Sequence, residues 1–412
     1  MMQAAVYRSF GSEIKIESID RPKVPADGVV IQVKATGVCR SDWHGWKGHD
    51  SDIADHGLPF VPGHEVSGII VEVGRGVRKF RIGDRVAVPF ILSCGCCREC
   101  DPGGRNRPTI CERQEQPGFT MLGSFAEYLA LPRADRNLSI IPKEVSFVEA
   151  AALGCRFTTA YRAVVQQGDI QTRQTVAVFG VGGLGLSCVM IAAAAKAGLR
   201  IIAIDMNNEA LRKAKDVGAT DVVNAKETAD VRKTVLELTG GMGADLTIDA
   251  AGFKQTCEDA VWTTRRGSRM VQVGLPIGGQ DPAIPMGVVA GRELEIIGSH
   301  GCAAGKFIGG ILFRFGWSQA FSLHRIHRIM LTIYVYKCIL HSEDMPDILE
   351  MVARGRLNPS ALVEREVGLA EGAKAIMDMD NIGSQIGITM VTFGNDNDSS
   401  NGVVSRGRRS RL

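Results

Sequence analysis

The stretch from Thr175 to Asp205 limits what this chain can fold into more than any other. "TVAVFG" is an apolar run of the kind a strand buried on both faces requires. "VGGLGLSCVMIAAAAKAG" then forms a glycine-rich turn opening into an alanine-rich helix, and "LRIIAID" is a second buried strand. Gly180, Gly182, Gly183 and Gly185 stand at the turn, and Asp205 ends the second strand. Such glycines are a weak signal alone. Set between a strand and a helix, with an acid that far downstream, they predict a dinucleotide site. Glycine permits the tight turn and lets the backbone approach a pyrophosphate at the positive end of the helix. Asp205 can accept hydrogen bonds from both ribose hydroxyls and would repel a 2′-phosphate, which favours NAD over NADP. The plain alternative is a glycine turn chosen for helix–sheet packing alone.

Further strand-like runs, "DLTIDAAG", "RMVQVGLP" and "LEIIGS", recur among helical stretches such as "ALRKAKDVG" and "TVLELTG". That pattern predicts a parallel sheet covered by helices. Residues 1 to about 155 differ: short strands, among them "VVIQVKATGV" and "VSGIIVEVG", are separated by Gly/Pro/Asp turns. A chain of 412 residues has room for two or three domains. Its formal net charge of +3 makes no general case for nucleic acid or an anionic membrane surface. "MMQAAVYRSFGSEIKI" lacks a charged segment followed by an apolar one, so no secretory leader is expected and a cytoplasmic location is. On that reading the eleven cysteines are thiols or metal ligands rather than bridges.

Five of these cysteines lie close together: Cys94, Cys96, Cys97 and Cys100 in "SCGCCREC", with Cys111 beyond. The spacing of Cys94, Cys97 and Cys100, with Cys111 as fourth member, suits a closed tetrahedral zinc site that has no open position for a substrate. Three dispersed pieces also stand out. "GVCRSDWHGW" carries Cys39, Ser41, Asp42 and His44; "VPGHEVSG" carries His64 and Glu65; "LGCRFTTAYRA" carries Cys155. A lone cysteine is usually a small core residue. Two thiolates and one imidazole together, with a fourth position open, make a catalytic zinc set.

These segments resemble the zinc-dependent medium-chain alcohol dehydrogenases. The resemblance covers roughly residues 1–305 and 343–393 and rests on "GVCRSD", "GHEVSG", the cysteine cluster, the "GC" and "FTTAY" flanking Arg156, "GVGGLG" and the strand ending at Asp205. It implies an α/β fold in which a GroES-like β-rich catalytic domain is joined to a Rossmann doubly wound parallel-sheet coenzyme domain. The expected division is 1–155 for the first, with a structural-zinc lobe near 93–112, and 156–298 for the second. Residues 299–393 return to the catalytic domain, and 394–412 form a disordered tail.

The resemblance further implies two zinc ions per chain. Cys39, His64 and Cys155 would hold the catalytic ion, with Glu65 close behind as an occasional ligand or as a neighbour of the ligands, and Asp42 orienting His64. Cys94, Cys97, Cys100 and Cys111 would hold the structural one. Ser41 and His44 match a hydroxyl-to-imidazole proton relay, and Thr159 the position packing near the nicotinamide. Arg40 matches a partner of cofactor phosphate. Gly180, Gly182, Gly183, Leu184, Gly185, Asp205, Gly274 and Leu275 would contact NAD. Trp46 and Phe90 match the substrate-pocket wall, whereas Trp43 is expected in the core. The implied activity is reversible oxidation of a primary or secondary alcohol to an aldehyde or ketone, in a homodimer or homotetramer. Polyol or amino-alcohol dehydrogenation is the nearest alternative, argued against modestly by Cys155, where the polyol branch often has Glu. An inactive binding protein or an unstable product are the others.

The chain departs from that family in three places. Ten residues separate Cys100 from Cys111 where the family commonly has seven, and Cys96 is a spare thiol that could compete as a ligand. Residues 306–342 contain no Asp or Glu, although the chain has 45, and hold seven of its 24 aromatic residues. Arg and His interrupt their apolar runs, which argues against a membrane span. The segment reads as a translated retained intron or, alternatively, a surface subdomain particular to this lineage. Finally, Ser410-Arg411-Leu412 resembles a C-terminal peroxisomal address on a basic tail; the plain alternative is a solvated tail.

Overall fold

The structure, a computed structural model, describes residues 1–101, 107–195, 200–276, 281–304, 345–380 and 386–394. The readings of 306–342 and of Ser410-Arg411-Leu412 lie outside these described residues.

Six strands form one parallel sheet in the order Asp221–Asn224, Arg200–Asp205, Thr175–Phe179, Ala244–Asp249, Thr264–Gln272, Glu295–Gly298. Numbered along the chain the order is 3-2-1-4-5-6, that of a doubly wound dinucleotide-binding sheet. The apolar runs are explained by burial on both faces. Val176, Ala177, Val178 and Phe179 are all inaccessible, with Val176 and Val178 in one core cluster and Ala177 and Phe179 in another. Helices Gly183–Ala195, Asn208–Asp216, Val231–Leu238 and Lys254–Thr263 supply the cover. Asn207 and Asp230 start two of them by accepting from backbone N–H groups.

A second sheet has the hydrogen-bonded order Val363–Val367, Ile388–Thr392, Val29–Val38, Glu65–Val73, Arg85–Val88, Ser139–Ile140, with Tyr128–Leu131 also pairing to Val29–Val38. The strand Val29–Val38 is covered on nearly every residue because three other strands pair along its length. Chain segments on both sides of the parallel sheet therefore share the second sheet, through Thr389–Thr392 pairing with Ala35–Val38. Among the described residues no helix is long and apolar enough to cross a membrane.

Candidate active site

The nucleotide turn lies at the carboxyl ends of the parallel strands, where ligands of such sheets bind. Gly180 has φ +83°, and a side chain at Gly185 would collide with the Gly180 carbonyl oxygen, so both positions require glycine. A Cβ at Gly182 would meet nothing within 4 Å, leaving that amide open to an incoming group. Asp205 accepts from the Val181 N–H at 2.8 Å and the Asn207 N–H at 2.9 Å. Those two bonds leave carboxylate lone pairs for further donors. Gly274 and Leu275 follow the fifth strand of the sheet, packed against Gly252, and Leu275 is exposed. Arg40 donates to the Met379 carbonyl at 2.5 Å and lies 3.8 Å over the Trp43 ring.

Three separate elements bring Cys39, His64 and Cys155 together. Cys39 precedes the helix Arg40–Trp46, His64 precedes the strand Glu65–Val73, and Cys155 lies in the π-helical turn Leu153–Phe157. Their ligand atoms all lie within 4.8 Å of one another. Asp42, wholly buried, accepts from His64 Nδ1 at 2.9 Å and from the Cys39 and Gly63 amides. That leaves His64 Nε2 buried with no hydrogen-bond partner among the described residues, a costly state for a lone-pair nitrogen unless it has a ligand. The hydrogen bond from Cys155 holds Cys39 well below the ordinary thiol range, helped by Arg156 and His64, and the same bond pushes Cys155 well above it. Two thiols sharing protons beside a free imidazole nitrogen fit a divalent cation that displaces those protons.

Glu65 is not in this ligand group. Its buried carboxylate accepts from Arg156 through the main-chain N–H and Nε, both at 3.0 Å, and through Nη2 at 2.5 Å. Burial raises the Glu65 pKa while Arg156 pulls it back, so a paired ion rather than a free ligand stands behind the thiolates.

The surroundings are aromatic. Phe90 lies 5.4 Å from the His64 ring and Phe119 5.0 Å from it, while His300 stands edge-on to Phe90 at 5.6 Å. Both tryptophans pack on the core cluster that contains Phe90. Trp46 is 4% exposed, packs in the core and donates to the Ser12 carbonyl, whereas Trp43 is half-buried and donates to the Asp380 carboxylate. Each indole N–H follows the acceptor it can reach. Ser41 Oγ is 3.8 Å from Cys39 Sγ, and Thr159 Oγ1 is buried without a hydrogen-bond partner among the described residues. Burial lowers the His44 pKa to about 4, with Arg40 and His49 adding to the effect.

The cysteine lobe forms a second group of Cys94, Cys97, Cys100 and Cys111. Its sulfurs are separated by 3.5 Å (Cys94–Cys100), 3.2 Å (Cys97–Cys100) and 3.7 Å (Cys97–Cys111 and Cys100–Cys111). A tetrahedron of Zn–S bonds near 2.3 Å has edges of about 3.8 Å, so the four sulfurs fit one ion. Amides of Cys94, Gly95 and Arg113 donate to these sulfurs. Cys96 is exposed outside the group, 3.7 Å from Cys94, with its sulfur accepting from Arg113.

The family profile "Alcohol dehydrogenase GroES-like domain" matches residues 25–143, and "Zinc-binding dehydrogenase" matches 183–313. An alcohol dehydrogenase of Geobacillus stearothermophilus is 37% identical over 300 residues, 72% of this chain and 84% of the relative. The chain belongs to the zinc-dependent medium-chain alcohol dehydrogenase family. Two further members are informative. A sorbitol dehydrogenase of Bacillus subtilis is 34% identical over 301 residues, 72% of this chain and 81% of its own. The crystal structure of an NAD-dependent alcohol dehydrogenase superposes with a TM-score of 0.75 at 28% identity, covering 95% of this chain and all of its own. The chain is thus a zinc-type alcohol oxidoreductase. Its medium-chain dehydrogenase site contains four residues that the motifs alone did not single out: Phe119, Arg156, His49 and His300. Arg156 stands between "GC" and "FTTAY", and nothing in that stretch signals its pairing with Glu65.

Proposed function

We propose that this enzyme reversibly oxidises primary or secondary alcohols to aldehydes or ketones with NAD, using one zinc ion on Cys39, His64 and Cys155 and a second on Cys94, Cys97, Cys100 and Cys111. The observation that carries the reading is the unpartnered Nε2 of His64, aimed by Asp42 and flanked by two thiols. Zinc supplies a Lewis acid that lowers the pKa of a hydroxyl presented to it, and nicotinamide supplies the hydride acceptor.

The remaining work falls to the chain's own residues. Phe90 and Phe119 line the His64 side of the site with apolar rings and exclude water from it. The Ser41 hydroxyl, beside Cys39, begins the path for the hydroxyl proton, and His44, neutral in the neutral pH range, continues it. Thr159 offers its free hydroxyl toward the cofactor side. Asp205 holds the ribose and discriminates against a 2′-phosphate, while Gly180, Gly182, Gly183, Leu184 and Gly185 form the cradle for pyrophosphate. A homodimer or homotetramer is supported by the Glu295–Gly298 edge strand, which ends its sheet with Ile296 exposed.

The test is a panel of primary and secondary alcohols and polyols offered to the purified full chain with NAD and with NADP. Faster NADH formation with simple alcohols supports the reading. Preference for polyols moves the enzyme to the sorbitol dehydrogenase branch, and preference for NADP contradicts the role given to Asp205.

A further inference from the structure

Beyond the helix Arg40–Trp46, Gly48 takes φ +78° and turns the chain so that the His49 N–H donates to the His44 carbonyl at 3.0 Å. This turn sets the two imidazoles against each other, with His44 Nδ1 and His49 Nδ1 3.1 Å apart. The Trp43 ring stands edge-on to both, at 4.8 Å from His44 and 5.5 Å from His49. His44 is partly buried and His49 is exposed, so the pair runs from protein toward solvent. At that separation the facing nitrogens share one proton: one ring donates Nδ1–H and the other accepts.

We propose that His49 is the outer carrier of the proton released by alcohol oxidation, extending the relay from Ser41 and His44 to solvent. This inference rests on the alcohol dehydrogenase reading above. When His44 accepts a proton on Nε2, its Nδ1 proton passes to His49 Nδ1, and His49 gives up its Nε2 proton to water. The net step moves one proton outward with no change in electron count and leaves each ring in the opposite tautomer. Between turnovers each ring exchanges one proton with water, losing it from one nitrogen and regaining it on the other, which restores the starting tautomers with no net proton taken up. The groups facing the pair favour outward movement. Burial, and after it Arg40, which lies 3.8 Å over the Trp43 ring, oppose a resting charge on His44, whereas His49 is exposed to solvent. His49 touches neither substrate nor cofactor; it acts through His44.

The test follows proton release directly. The full-length native, His49→Ala and His49→Gln proteins are mixed in a stopped-flow instrument with NAD and either ethanol or cyclohexanol, in weakly buffered solution containing a pH-indicator dye. Gln can keep a hydrogen bond to His44 but cannot carry a proton. Both variants are expected to release the proton roughly tenfold more slowly, short of the ~10²–10⁴-fold loss of a direct general base. Added HEPES, a bulky base, should restore the rate in both while leaving the native enzyme unchanged. A second readout needs no turnover: nitrogen-15 NMR of the imidazoles should show a hydrogen-bonded His44 Nδ1 in the native chain and its loss in His49→Ala. Native-like proton release by His49→Gln, or slow release that HEPES does not restore, overturns the relay. So does an unbonded His44 Nδ1 in the native spectrum. A native chain that reduces no NAD with any alcohol, yet shows the bonded Nδ1, overturns instead the reading on which the relay rests.

Discussion

Replacing Arg156 by Met tests whether the centre of the site is held by a buried ion pair. Glu65 is wholly buried, and the Arg156 side chain is only 10% exposed. The carboxylate receives three donations from Arg156, two of them at 3.0 Å. At about 3 Å and an effective dielectric constant of ~20, the attraction is about 5–6 kcal/mol, partly offset by the desolvation of both ions. Arg156→Met keeps the main-chain N–H bond but leaves the carboxylate without its counter-ion. Breaking one side of such a pair costs about 3–5 kcal/mol. Urea unfolding followed by tryptophan fluorescence measures it, and a calorimetric midpoint should fall by roughly 6–20 °C. Pairing the change with Glu65→Gln removes the stranded charge and should recover much of the loss. A loss below about 1 kcal/mol, or a double variant no more stable than Arg156→Met, would refute the reasoning.

Other perturbations separate the two metal sites and the relay. Cys111→Ser should release one zinc per chain and lower stability while sparing the ion on Cys39, His64 and Cys155, as metal analysis of the dialysed protein would show. Asp42→Asn removes the negative charge facing His64 and one of the two oxygens that accept from His64, Gly63 and Cys39, and zinc affinity of that site should fall about 10–100-fold in a chelator competition. His44 contributes a pH dependence of stability. Its folded-state pKa, lowered to about 4 by burial, lies below that of the unfolded chain, so the unfolded state binds the extra proton. Stability should therefore fall as pH drops from neutral toward about pH 4, and His44→Gln should flatten that slope in urea titrations. A slope unchanged in the variant would contradict the burial argument.

The nucleotide half was legible because its signal is local. Turn, helix and acid lie within one strand–helix–strand unit, and the parallel order follows from strands apolar on both faces. The metal ligands were legible only through their likeness to a family, since Cys39, His64 and Cys155 stand on three elements that the fold alone unites. What escaped the motifs were partnerships set by tertiary structure. Glu65, expected as an occasional ligand, is claimed by Arg156 from ninety-one positions away. Trp43 and Trp46 fit the same short helix equally well, and the acceptors Asp380 and Ser12 decide which one is buried. Cys96 illustrates the opposite case: spacing left it a competitor for the structural ion, and the sulfur geometry leaves it outside.

The central claim is that the dispersed ligands, and not the dense cysteine cluster, hold the ion that does chemistry. The most direct measurement is zinc content together with alcohol-dependent NADH formation for the native chain and Cys155→Ser. The account expects two zinc ions and activity in the first, and one zinc ion and no activity in the second. Full activity in Cys155→Ser with both ions retained would contradict it.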